Sequence, residues 1–182
     1  NLSYLLSQNV PDVMGLIAAN TYRQLTNSTL KEIFKQWASL GFTKYTEANP
    51  SGSYVIDRTP PKTFTPHKYI FRDNDSKIYC KNGAVIVVAS LDNYMALEGM
   101  ELGWALLDET EATKEEAVTE VITARLREKG LYKSDGDYPF SHTGTVPGNP
   151  LFVFTKPGRA DWLHNYFGRD EGRDVRMLKI FS

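Results

Sequence analysis

The chain has 182 residues, a length that suits one domain and suffices to bury a core. Hydrophobic residues make up 41% and charged residues 24%, ordinary proportions for a soluble globular protein. The net charge is −1 and the pI about 6.4, so no global positive field draws the chain to nucleic acid; any such contact needs a local patch or a partner domain.

In chain order, Leu2, Leu5 and Leu6 have helical spacing, so residues 1–9 read as the end of a helix stopped by Pro11. Val13–Ala19 is a short, nearly continuous apolar run of the kind that forms a buried, parallel strand. Thr29 with Glu32 reads as a capping box for a helix whose apolar face is Leu30, Ile33, Phe34 and Trp37 and which ends near Gly41. Residues 43–68 carry little pattern and many Pro, Ser, Gly and Thr, with one short strand expected at 53–56. Lys77–Lys81 and Ala84–Ala89 flank Asn82-Gly83, a hairpin signal because both turn residues tolerate positive φ.

Gly103–Leu107 is a third buried strand and ends in Asp108-Glu109. Thr113 with Glu116 reads as a second capping box, followed by a helix face of Ala117, Val118, Val121, Ile122 and Leu126 that closes at Gly130. After a loop over 131–149, Leu151–Thr155 is a fourth strand, 162–167 a short helix and 175–181 a last strand. Strands alternating with helices predict an α/β domain with a mostly parallel sheet flanked by helices.

Ligands of open α/β sheets bind beyond the carboxyl ends of the strands. Three polar clusters fall there: Tyr22-Arg23, Asp108-Glu109 and Thr155-Lys156-Pro157. An apolar strand delivering Asp then Glu sets two adjacent carboxylates on a rigid rail. Asp108 can then hold Mg²⁺ directly or through waters, while Glu109 orients the water that attacks a γ-phosphate. The plainer alternative is a solvated strand exit that caps the next turn. Thr155 is placed to touch the γ-phosphate or that water, or else is a turn residue before Pro157-Gly158.

Leu102-Gly-Trp-Ala-Leu-Leu-Asp-Glu-Thr-Glu111, followed by Ala124-Arg125-Leu126-Arg127, resembles the Walker B region of phage terminase large subunits. Ala19–Leu25 resembles that family's segment after the strand that follows the phosphate-loop helix, and Phe154–Pro157 its coupling motif, with Trp162 where the family often has an aromatic after that motif. The resemblance implies a P-loop NTPase core of the RecA-like type with an antiparallel hairpin. It implies ATP and Mg²⁺ as cofactors, with Asp108 as metal ligand, Glu109 and Thr155 as catalytic residues, and Tyr22, Arg23 and Arg125 near the nucleotide. The implied partners are double-stranded viral DNA, the portal protein and the small terminase subunit, in a homo-oligomeric ring in the host cytoplasm, with no membrane.

Three features depart from the family. No Gly-x-x-x-x-Gly-Lys-Ser/Thr occurs, so residues 1–182 read as one partial ATPase domain, with the phosphate loop expected upstream and the nuclease domain downstream. The lack of an initiator Met fits an excerpt or a trimmed chain. The place of an arginine finger reads Glu98-Gly99; Arg23, Arg125 or Arg127 are substitutes, or else surface salt-bridge partners. The alternatives are a helicase-like P-loop ATPase or a non-catalytic α/β interaction module.

The single cysteine, Cys80, fits a reducing compartment and has no nearby His to activate it. His67, His142 and His164 lack metal-ligand spacing, and Asp135-Gly136-Asp137 reads as a turn. No apolar run approaches the roughly 20 residues of a membrane span, and the N-terminus lacks a basic signal region.

Overall fold

The computed structural model describes residue 3 and residues 12–69, 71, 76–128, 151–154 and 161–167. The expected elements at residues 131–149 and 175–181, Thr155, and most of the N-terminal helix lie outside the described residues.

Six strands form one sheet: β1 (Met14–Ala19), β2 (Tyr54–Ile56), β3 (Lys77–Cys80), β4 (Val85–Ser90), β5 (Trp104–Asp108) and β6 (Leu151–Val153), in the order β2-β3-β4-β1-β5-β6. β1 runs parallel to β4 and β5, and β5 parallel to β6. β3 is antiparallel to both β4 and β2, so it alone among these strands runs against the others. The expected parallel neighbours β1, β5 and β6 are thus adjacent, and the hairpin breaks the pattern through its first strand only.

At that hairpin the Cys80 N–H donates to Ala84 O (2.8 Å) and the Gly83 N–H to Cys80 O (3.1 Å). Gly83 has φ +95°, and a Cβ there would also strike Asp12 Oδ1, so both conformation and space call for glycine.

The central strands read as unbroken apolar runs because both sheet faces are covered. Alternate residues of β1 divide between two cores. Ile17 and Ala19 pack with Leu25, Leu30, Trp37, Trp104 and Leu106. Leu16 and Ala18 pack on the other face with Leu97, Leu107, Val118 and Ile122. The apolar face expected after Glu116 is therefore buried as predicted.

The helix after β1 starts earlier than its capping-box signal suggests. Thr21 is extended (φ −121°, ψ 150°) and its hydroxyl accepts from the Gln24 N–H at 3.2 Å, which makes it the N-cap of α1 (Tyr22–Gln24). A π-helical turn (Leu25–Thr29) then leads into α2 (Leu30–Ser39). Thr29 has helical φ/ψ and caps nothing. α2 ends as expected at Gly41, where the Phe42 N–H reaches Trp37 O and the Gly41 N–H reaches Ala38 O, closing a Schellman motif. The Trp37 and Phe42 rings meet edge-on at 4.9 Å.

The second capping box does not form. Thr113 is extended, but its buried hydroxyl makes no hydrogen bond among the described residues. Glu116 instead accepts from Tyr94 Oη at 2.6 Å. The helix that follows contains a π-helical turn (Ala117–Ile122) and ends in α3 (Thr123–Arg125), short of Gly130. The helix expected at 162–167 is α4 (Asp161–Phe167).

At the starting ends of β1 and β5, the buried Glu128 carboxylate accepts from the Met14 N–H (3.0 Å) and pairs with Lys68 Nζ (3.2 Å). A charge this buried needs both partners.

Cys80 is fully buried, and burial pushes its thiol up to about 12. The thiolate is then scarce at pH 8, so Cys80 is expected to resist iodoacetamide in the folded protein and to react only in denaturant. Mass spectrometry after timed labelling checks this, and rapid native labelling would show that β3 opens readily. His67 donates its Nε2–H to Cys80 O at 2.8 Å, since a carbonyl only accepts. Burial lowers the His67 pKa, which favours the neutral ring.

Candidate functional site

Parallel strands place their carboxyl ends on one edge of the sheet. The register sets Ala19 opposite both Ser90 and Asp108, so the residues that follow β1, β4 and β5 converge there. β6 joins them: the Phe154 N–H donates to Leu107 O (2.8 Å), and Phe154 O accepts from the Thr110 N–H (3.1 Å).

Asp108 ends β5 half-buried. Its Oδ2 accepts from Thr29 Oγ1 at 2.6 Å and its Oδ1 from the Glu109 N–H at 3.0 Å. Asp108 has the sheet parity of Trp104 and Leu106, whose side chains pack with Leu25 and Leu30. The contact with the helix over that face follows from the alternation of the strand.

Glu109 turns the chain out of the sheet in the left-handed region (φ 50°, ψ 46°). Few non-glycine residues adopt this conformation, and those that do cluster at functional sites. Beyond it, Thr110 is fully buried and its hydroxyl has no hydrogen-bond partner among the described residues.

Tyr22 and Arg23 lie on the same edge, three and four residues beyond the end of β1, and both are exposed. Tyr22 Oη lies 3.3 Å from Ser76 Oγ. Arg125, expected beside the nucleotide, is placed elsewhere. Its carbonyl accepts from the Leu102 N–H at 2.7 Å, before the start of β5. Six residues of extended chain separate Leu102 from Asp108, about 20 Å. Arg125 thus stands at the opposite edge from the carboxylates. Arg127 faces Glu101 (Nε to Oε1 3.9 Å), as a surface salt-bridge partner does. Glu98 follows a 3₁₀ helix (Leu91–Leu97) and brings no positive charge. Of the arginines weighed, Arg23 is the one that shares the edge of Asp108.

The donor set suits Mg²⁺. A carboxylate offers about four acceptor positions, and the two bonds to Asp108 take one on each oxygen. No group of three or more His, Cys, Asp or Glu side chains forms a metal cage among the described residues. Mg²⁺ commonly uses one or two carboxylates together with waters and substrate phosphates. Thr29 is the member of this site that sequence reasoning missed: its helical position and the approach of β5 emerge only on folding.

No family model matches the chain, and no curated protein matches it. Among solved structures it is similar to a mutant of the large terminase ATPase domain of Thermus phage P74-26, at 18% identity and a TM-score of 0.46. The match covers 91% of this chain and 56% of that one, so the chain spans little more than half the length of that solved chain. The mostly parallel, helix-flanked sheet rests on its own strand pairings. Among the described residues, no helix is long and apolar enough to cross a membrane.

Proposed function

We propose that the chain is part of the ATPase core of a phage or prophage terminase large subunit, which hydrolyses ATP to drive viral DNA into a procapsid. The observation that supports this best is Asp108-Glu109 at the carboxyl edge shared by β1, β5 and β6, with the Asp108 carboxylate held by Thr29. Bound with the triphosphate, Mg²⁺ supplies charge neutralisation at the β- and γ-phosphates. Asp108 holds it directly or through waters. Glu109 orients and polarises the attacking water, and Thr155 contacts that water or the γ-phosphate. Tyr22 and Arg23 flank the nucleotide of their own chain, and Arg125 lies away from it.

In this reading the phosphate-binding loop and a nuclease domain belong to segments outside the 182 residues, which form one partial domain. The working motor is a homo-oligomeric ring on the portal protein in the host cytoplasm, acting on double-stranded DNA with a small terminase subunit. The absence of Gly-Lys-Ser/Thr from these residues favours a second reading, a non-catalytic α/β interaction module.

Calorimetry with ATP and Mg²⁺ separates the two. The 182 residues alone have no loop N–H groups or lysine to cradle a β-phosphate, so no micromolar binding is expected. The full-length protein should bind ATP, and if it does not, the ATPase reading falls.

A further inference from the structure

Threonines inside helices usually return their hydroxyl to the carbonyl three or four residues back. Thr26 does so, to Tyr22 O (3.0 Å) and Arg23 O (3.2 Å), and Thr119 does so to Glu115 O (3.0 Å). Just after the π-helical turn of the other helix, Thr123 bonds Val118 O at 2.7 Å. Thr29 behaves differently. It is 8% exposed, and its hydroxyl bonds a carboxylate 79 positions away in the chain.

Thr29 is the last residue of the π-helical turn. The Leu30 N–H reaches back to Leu25 O, which lodges one more residue in the turn than an α-helix holds. One added residue rotates everything after it by about 100° about the helix axis. The helix can therefore expose Tyr22 and Arg23 at the sheet edge and still turn Leu25, Thr29, Leu30 and Trp37 inward. π-helical turns of this kind are frequent at functional sites.

We propose that Thr29 is a positioning residue for a divalent cation. By donating to Oδ2 it fixes the rotamer of Asp108, so that the carboxylate meets the cation with its remaining acceptor positions already aimed. The proposal rests on the reading of Asp108 as the Mg²⁺ carboxylate. A cation held through one protein carboxylate is sensitive to rotation of that carboxylate, and removing such a supporting contact typically costs about 10–100-fold in metal affinity.

The test uses the full-length protein with Mn²⁺ as the probe, its affinity read by electron paramagnetic resonance in the presence of a non-hydrolysable ATP analogue. Thr29→Val removes the hydroxyl at constant shape and is expected to weaken Mn²⁺ about tenfold or more, with the Mg²⁺ needed for half-maximal hydrolysis rising in parallel. Metal-free analogue binding and the thermal midpoint should change little. Thr29→Ser should restore Mn²⁺ affinity. Thr29→Ala removes the same hydroxyl without a methyl beside the carboxylate, and it serves if the valine variant does not fold. In an Asp108→Asn background the valine change should cost nothing further.

Wild-type Mn²⁺ affinity in both hydroxyl-free variants overturns the inference, as does full additivity with Asp108→Asn. Asp108→Asn separates this failure from failure of the underlying site. If that variant loses Mn²⁺ affinity while Thr29→Val binds Mn²⁺ normally, only the role of Thr29 is lost. If it binds Mn²⁺ with wild-type affinity, the reading of Asp108 and the role of Thr29 fall together.

Discussion

Glu109→Gln in a full-length protein is expected to reduce ATP hydrolysis by about 100-fold or more while leaving ATP binding largely intact. The change keeps size and shape and, on the proposed reading, removes the charge that acts on the attacking water, not on the nucleotide. Asp108→Asn should instead weaken Mg²⁺-dependent binding as well as hydrolysis, because it removes charge from the proposed metal site. The backbone supplies a control. Glu109 holds φ 50°, ψ 46°, a conformation that glycine adopts without strain. Relief of that strain and the greater chain entropy of glycine oppose each other, so Glu109→Gly should stay within about 1 kcal/mol of wild-type stability and still be inactive. Steady-state hydrolysis, nucleotide binding and thermal unfolding of the three variants decide the matter. Wild-type hydrolysis by both Glu109→Gln and Asp108→Asn would remove this pair from catalysis.

The strands were legible because a strand buried on both faces leaves a continuous apolar run, as in Met14–Ala19 and in residues 104–107 of β5. The Asn82-Gly83 hairpin was legible because its turn geometry is local. The start of the helix after β1 was not. Its π-helical turn separates the inward residues Leu25 and Leu30 by five positions, a spacing that a 3.6-residue period misses. Thr29-x-x-Glu32 then offered a capping signal inside a helix already capped by Thr21. Asp108-Glu109 stood out as a pair, but the hydroxyl that holds Asp108 arrives from 79 residues away, beyond any periodicity. The same holds for Arg125 and Glu128: nothing local says that the helix after Glu116 runs back toward the starting end of β5, carrying Arg125 away from the carboxylates.

Gly15→Val is expected to destabilise the fold by about 3 kcal/mol, near the upper end for overpacking a core. A Cβ on Gly15 would lie 2.0 Å from Trp104 Cε2 and 2.1 Å from Cζ2, far inside van der Waals contact. Neither side yields easily. β1 is hydrogen-bonded to β4 and β5 on its two edges, and Trp104 is fully buried. For a domain of this size the loss corresponds to a fall of about 10 °C in thermal midpoint. Trp104→Ala alone should also destabilise, by about 3–5 kcal/mol, through the cavity it leaves. Combined with Gly15→Val it should cost less than the sum, because the valine fills part of that cavity. The consequence reaches the site. Gly15 pairs with Trp104 in the same register that sets Ala19 opposite Asp108, so a variant that survives by shifting β5 moves the carboxylate away from Thr29. On the proposed cation role of Asp108, such a variant should lose divalent-cation affinity along with stability. A Gly15→Val protein with an unchanged thermal midpoint would show that β1 and the indole do not approach this closely in solution.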